Sequence, residues 1–381
     1  MRVLIAPDKF KGTLTAPEAA AAIARGWARA RPADGLIRRP ISDGGDGFGP
    51  LLGEQLDAQT REVATVDAAH RPLKAPWWWG PRERLAIVES AAVIGLARLP
   101  RGRFHPFALD TFGLGAVLRA VARARPRRVV IGIGGSATND AGFGLARALG
   151  WRFYAADDEA ITAWPELTRL ARVTPPRRPL RFPELIVAVD VRNPLLGARG
   201  ATRVYGPQKG LRPDDLPAAE RALRQLARVL RAARPDAADP ARQAGAGAAG
   251  GLGFGLGEFL GARREPGFAL FARETDLPAQ IRQADLVLTG EGALDLTSVA
   301  MGKGVGELAR LCRRARVPCW GLAGGVEAHP RVQRAFARTA ALTDLTTPAA
   351  AQRQAARWLA RLAEHTARQW PAETAGPAVN R

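Results

Sequence analysis

Carboxylates, lysines, small hydroxyls and bare glycine amides recur together in six short stretches of this chain. They are Ala6-Pro7-Asp8-Lys9, Ser42-Asp43-Gly44-Gly45-Asp46-Gly47, Gly134-Gly135-Ser136-Ala137-Thr138-Asn139-Asp140, Asp190-Val191-Arg192-Asn193, Thr289-Gly290-Glu291-Gly292 and Ala323-Gly324-Gly325. Lysines, hydroxyls and amides are donors for phosphate oxygens, and carboxylates serve as proton acceptors or magnesium ligands. That is the inventory of phosphoryl transfer, where positioning and charge carry most of the catalysis. It is a poor inventory for acyl transfer, because His70, His105, His329 and His365 all lie outside these stretches. Taken singly, each stretch also has a plainer reading. Gly134-Gly135 is a tight turn, Asp140 a helix cap, Asp43 and Asp46 turn formers, and Glu291 and Asp295 first-turn helix acids.

Scarcity argues against the plainer reading. Of 56 basic residues only Lys9, Lys11, Lys74, Lys209 and Lys303 are lysines, and Asn139, Asn193 and Asn380 are the only asparagines. In a chain where lysine has drifted to arginine, a surviving lysine marks a place where a compact point charge serves and a planar fork does not. Four of the five sit in glycine- or aspartate-rich loops, at Asp8-Lys9-Phe10-Lys11, Gly206-Pro207-Gln208-Lys209-Gly210 and Met301-Gly302-Lys303-Gly304.

The elements that must position these loops alternate along the chain. Short apolar runs at 3–6, 36–41, 61–66, 85–88, 128–133, 185–189, 286–289 and 317–323 read as strands. Helical periodicity falls at 17–30, 112–124, 139–150, 215–234, 303–315, 331–338 and 349–369, and Thr15-Ala16-Pro17-Glu18 reads as a capping box. Strand, glycine loop and helix in repetition predict α/β architecture with parallel strands. Residues 151–184 carry no clear period, 235–250 read as a linker, and the end from Pro371 reads as frayed. Trp77-Trp78-Trp79 reads as a packing cluster rather than a lid.

A length of 381 residues predicts two domains. Cys312 and Cys319 form neither a redox pair nor a zinc knuckle by spacing, and no apolar stretch is long enough to span a bilayer. These features predict a soluble protein of a reducing compartment, the cytoplasm. The net charge of +20 comes from dispersed arginine without aromatic interleaving, which argues for a basic surface over specific nucleic-acid binding. Walker-A spacing, the dinucleotide fingerprint and the protein-kinase triplets are absent.

The motifs APDKFKGTLTAPEAA, ISDGGDGF, ESAAVIGL, TFGLGAVL, IGIGGSATNDAGFGLARALG, DVRNPLLGARGATRVYGPQKG, AGAGAAGGLGFGL and LTGEGALD resemble, in this order, those of the bacterial glycerate kinase family. The resemblance covers about residues 1–325. It implies ATP- and Mg2+-dependent phosphorylation of D-glycerate at the 2-hydroxyl, giving 2-phosphoglycerate. It also implies a flavodoxin-like domain, residues 1–70 plus 285–381, split by an inserted α/β domain, 71–284, with the active site between them. The partners implied are the small substrate and a nucleotide, with no membrane; a homodimer is left open.

On that resemblance the Gly134–Asp140 loop is the phosphate cradle, through its amides and Ser136, Thr138, Asn139 and Asp140. Asp190 is the first choice for the base and Asp43 the second. Lys9, Lys11 and Lys209 hold phosphate or the glycerate carboxylate, together with Asp46, Asn193 and Lys303. Glu291 and Asp295 are the metal or nucleotide candidates. The chain departs from the family pattern where Asp46-Gly47-Phe48 replaces Glu-Gly-Thr and where Ala293 replaces an arginine. Two other readings stay open: a kinase for a related small hydroxy acid on the same scaffold, and a non-enzymatic sugar-acid sensor or DNA-associated regulator.

Overall fold

The computed structural model describes residues 1–233, 238–300 and 304–370. Its strands, in chain order, are β1 (Arg2–Ile5), β2 (Gly35–Arg38), β3 (Gln59–Val66), β4 (Pro72–Gly80), β5 (Leu85–Glu89), β6 (Arg128–Gly132), β7 (Arg152–Ala155), β8 (Leu170–Thr174), β9 (Glu184–Val189), β10 (Arg263–Pro266), β11 (Leu286–Thr289), β12 (Ala293–Leu294), β13 (Cys319–Ala323), β14 (Gly325–Val326) and β15 (Arg338–Ala341). The chain divides into two compact units, one of residues 1–42 with 272–381 and one of residues 43–271.

The first unit holds a five-stranded parallel sheet in the order β15-β13-β11-β1-β2. Counted within the unit this is the flavodoxin-like order 2-1-3-4-5, whose switch point lies between the first and third strands. Those strands, β1 and β11, are almost entirely buried, which is why they read as unbroken runs of Val, Leu and Ile. The Ala16–Ala30 helix starts as predicted. Thr15 accepts from the Glu18 amide, and Glu18 accepts from the Thr15 amide at 2.8 Å. Its apolar stripe, Ala19, Ala20, Ile23 and Trp27, joins the core under the sheet. Gly26 lets the Ala355–Arg368 helix approach, since a Cβ there would stand 1.9 Å from the Ala360 carbonyl oxygen.

The second unit holds a six-stranded mixed sheet, β10-β9-β6-β5-β4-β3. Strands β5, β6, β9 and β10 run parallel, while β3 and β4 form an antiparallel hairpin continued onto β5. Trp77, Trp78 and Trp79 all lie in β4 and are buried. Trp78 packs on Gly49 and Gly53 of the Phe48–Gln55 helix, while Trp77 and Trp79 meet edge to face beneath the Arg61 guanidinium. This hairpin explains why the units divide at Ser42/Asp43 and not near residue 70. Residues 48–66 are bound to β4 by helix packing and by pairing along all of β3. At the other seam, residues 272–284 belong with the first unit, where Gln280 accepts from Arg39 Nε at 3.0 Å.

The aperiodic 151–184 stretch contains a small antiparallel pair, β7 with β8. The expected helix at 349–369 is two helices, Pro348–Arg353 and Ala355–Arg368. The expected linker yields, over its described part, a capped turn at Pro240–Arg242 and then the glycine-rich helical segment Ala248–Leu260.

Candidate active site

In the first unit the predicted loops leave the carboxyl ends of β1 and β11, the strands that flank the switch point. Ala6 N donates to Leu288 O at 2.7 Å, Asp8 N to Gly290 O at 2.8 Å, and Thr289 Oγ1 to Ala6 O at 2.8 Å. Asp8 Oδ1 accepts from the Lys9 amide at 2.7 Å. Gly292 lies against the Lys11 backbone. Asp8, Lys9 and Glu291 are half-buried and Lys11 is exposed, so two cations and two carboxylates lie at one sheet edge. Asp295 is differently engaged. It accepts from Ser298 N at 2.8 Å and Thr297 Oγ1 at 2.6 Å, as a first-turn helix acid does. Ala293 is exposed in β12. Lys303 lies outside the described residues.

In the second unit the loops after β5, β6 and β9 reach the same edge of the parallel part of the sheet. The loop after β6 is fastened from several sides. Gly134 N donates to Gly44 O at 3.2 Å, Leu96 N to Gly135 O at 2.9 Å, and Ala137 N to Ile94 O at 2.8 Å. Gly135 has φ 77°, and a Cβ on it would meet the Asp46 carboxylate, so Asp46 lies directly over this exposed glycine. Asp43 shapes the neighbouring turn, accepting from Gly45 N at 3.2 Å.

Asp140 faces inward. It is fully buried and accepts from Thr111 N at 2.9 Å, Thr111 Oγ1 at 2.7 Å, Gly142 N at 3.3 Å and Gly144 N at 2.9 Å. Burial, and then the charge of Asp110, push its carboxyl up to about 6. Asn139 is equally buried and donates to Thr202 Oγ1 at 3.1 Å. These two side chains hold the loop's shape from inside. Thr138 is also fully buried, and its Oγ1 has no partner among the described residues.

Lys209 comes to the loop from a short turn, Pro207–Lys209, closed by Gly210 at φ 103°. It is 7% exposed, and Nζ donates to Ser136 Oγ at 3.0 Å and Thr138 O at 2.6 Å. Burial pulls its ammonium down to about 7, opposed by the charge of Asp140. After β9, Asp190 is exposed. Asn193 accepts from Tyr205 Oη at 2.7 Å and donates to Arg199 O at 2.7 Å. Burial, and then the charge of Asp190, push the Tyr205 phenol up to about 12.

Several participants escaped the sequence reading. Glu89 accepts from Gly47 N at 3.0 Å and Gly49 N at 2.8 Å, fixing the loop that carries Asp46. Thr111 clamps Asp140, Tyr205 holds Asn193, and Gly250 abuts Thr138. Each lies in a recognised motif, and only Tyr205, one of two tyrosines, is of a scarce type. Phe48 is fully buried against Gly132 and Phe271, so the residue that departs from the family pattern is a packing residue. Among the described residues, no three His, Cys, Asp or Glu side chains gather as a metal cluster, and no helix is long and apolar enough to cross a membrane.

The sequence profile of the glycerate kinase family matches residues 3–371. The glycerate kinase of Bacillus subtilis is 36% identical over 331 residues, 86% of this chain and 85% of that one. The glycerate 2-kinase of Escherichia coli is 31% identical over 329 residues, 86% of each chain. A crystal structure assigned to glycerate kinase 2 of Salmonella typhimurium LT2 superposes with a TM-score of 0.81 at 31% identity, covering 97% of this chain and 98% of that one. With a profile match along nearly its whole length and relatives alike in both sequence and structure, this chain belongs to the glycerate kinase family, a family of phosphotransferases.

Proposed function

We propose that this chain transfers the γ-phosphoryl group of ATP to the 2-hydroxyl of D-glycerate by direct in-line displacement, without a covalent enzyme intermediate. The observation that carries the reading is the Gly134–Ser136 turn. An accessible glycine there precedes a hydroxyl whose oxygen already accepts from a buried ammonium, at the carboxyl end of a parallel strand. Such a turn suits phosphoryl oxygens, which need donors held in place before they arrive.

Asp190, exposed at the end of β9, takes the proton of the attacking hydroxyl, and Asp43 is the alternative base. Lys9 and Lys11 supply positive charge for the glycerate carboxylate or for phosphate. Asp46, over Gly135, borders the cradle. ATP is the phosphoryl donor, and a magnesium ion offsets the charge on its phosphates. A magnesium ion that arrives with nucleotide needs only one or two protein carboxylates, and Glu291 and Asp295 are oxygen ligands of the right chemistry. The test is the NMR spectrum of the product formed from D-glycerate and MgATP. A phosphorus-coupled proton at C2 supports the reading; coupling at C3, or no product, refutes it. A second reading, a kinase for another small hydroxy acid, is favoured by the exposed Ala293 where the family pattern carries arginine. Turnover across a panel of hydroxy acids separates the two.

A further inference from the structure

We propose that Lys209 is a positioning residue that fixes the polarity of the Ser136 hydroxyl, so that its O–H is presented to an oxyanion of the nucleotide or the acid substrate. An ammonium has three donors and no acceptor, whereas a hydroxyl has one proton and two lone pairs. Because Nζ donates to Ser136 Oγ at 3.0 Å, one lone pair is taken from behind and the hydroxyl proton leaves in another direction. No acceptor for that proton is found among the described residues. Ser136 is itself 5% exposed and follows the exposed Gly135.

The second bond of the ammonium, to Thr138 O at 2.6 Å, anchors it behind the loop. Since a trans peptide points its C=O and N–H in opposite directions, that bond also fixes the 138–139 peptide plane. Lys209 therefore touches the back of the cradle and acts through Ser136. The lysine has to be charged for this, because a neutral amine can accept from Ser136 and turn the hydroxyl around. Asp140 is the charge acting on the ammonium; behind it stand Asp110 and, at 3.0 Å from Asp110, His70. Burial places the lysine's titration near 7, so the polarity of Ser136 is set close to neutral pH.

This inference rests on reading the Gly134–Asp140 loop as an oxyanion cradle. It is tested by a cycle of Ser136→Ala, Lys209→Met and the double variant, each checked by thermal melting. The readouts are KM for ATP, KM for D-glycerate, and affinity for tripolyphosphate by calorimetry. If Lys209 acts through Ser136, each single variant weakens one anion by about tenfold or more, and the double variant matches Ser136→Ala within about twofold. Whichever KM moves identifies the anion as phosphate or glycerate carboxylate. Effects that multiply in the double variant, or a silent Lys209→Met, overturn the proposal. Should Lys209→Met fail to fold, the wild type and Ser136→Ala suffice. Wild-type affinity for tripolyphosphate, or for D-glycerate where that is the anion, has to fall as pH rises through about 7, and Ser136→Ala has to lose most of that fall; an equal fall in both overturns it. Oxyanion binding that obeys the cycle without D-glycerate turnover refutes the proposed function and leaves the inference standing. Turnover with an additive cycle does the reverse.

Discussion

Gly250 stands with φ 68° against the carbonyl of Thr138, where a Cβ would come within 1.9 Å of the oxygen. Its neighbours Ala249 and Gly251 share the left-handed region, at φ 55° and 87°. This strained run lets Gly250 O accept from Ala141 N at 3.0 Å, which ties the glycine-rich segment to the end of the cradle. Gly250→Ala is expected to cost more than about 2 kcal/mol, through both backbone strain and collision with a buried carbonyl. Denaturant unfolding measures it; a loss under about 0.5 kcal/mol would show that the cradle yields freely.

That contact marks the limit of what the sequence discloses. The parallel strands were legible because strands buried on both faces are written as apolar runs, as β1, β6, β9 and β11 are. The capping box at Thr15 was legible because its partners are three residues apart. The order of the first sheet was not, since order follows from which crossover packs where and leaves no local mark. The β3–β4 hairpin was half seen: β4 carries proline at Pro72 and Pro76 and three tryptophans, and it alternates poorly. At the site, scarcity of lysine found Lys209 and loop content found Ser136. Sequence could not tell that Asp140 and Asn139 turn inward, because a buried clamp and an exposed ligand draw on the same residue types.

Asp190 is exposed at the end of β9, so its removal should leave packing intact. Asp190→Asn is expected to lower kcat by about 100-fold or more, as for loss of a general base, with an unchanged melting temperature. Steady-state kinetics with D-glycerate and MgATP decide it. Unchanged turnover in the folded variant would shift the base to Asp43.

Phe48 replaces the threonine of the family pattern and is wholly buried against Gly132 and Phe271. Restoring the pattern by Phe48→Thr should therefore harm the protein, leaving a cavity and placing a hydroxyl among apolar groups. A loss of about 3 kcal/mol or more is expected on chemical unfolding, with no gain in kcat/KM. A stable, more active variant would mean that Phe48 obstructs the site.

The buried pair beside the cradle predicts a two-limbed pH dependence of stability. Asp140 is raised to about 6, so between its unfolded value near 4 and about 6 the folded state binds more protons, and stability falls as pH rises. Lys209 is lowered to about 7, so above that pH the unfolded state binds more protons, and stability rises toward about 10. Lys209→Met is expected to flatten the upper limb. Unfolding free energies at pH 5, 7 and 9 for both proteins test this. A wild type that loses stability from pH 7 to 9 would contradict a buried lysine with a lowered titration.

Lys209→Arg asks whether the surviving lysines mark chemistry. Lys209 is nearly buried, on a three-residue turn closed by Gly210 in the left-handed region, and its amine meets two acceptors on one loop. A guanidinium keeps the charge but is wider, planar and fixed in its donor directions, so it cannot reach Ser136 Oγ and Thr138 O without displacing the turn. A fall in kcat/KM of about tenfold or more is expected, equivalent to about 1.4 kcal/mol of transition-state binding. Lys74 provides the control. It is exposed on β4, opposite Ala64 in the hairpin and outside every loop of the site, so Lys74→Arg should alter stability by no more than about 0.5 kcal/mol and leave kinetics unchanged. If the two substitutions behave alike, lysine scarcity carries no information about function here, and Lys209 keeps its place only on the geometry of its two hydrogen bonds.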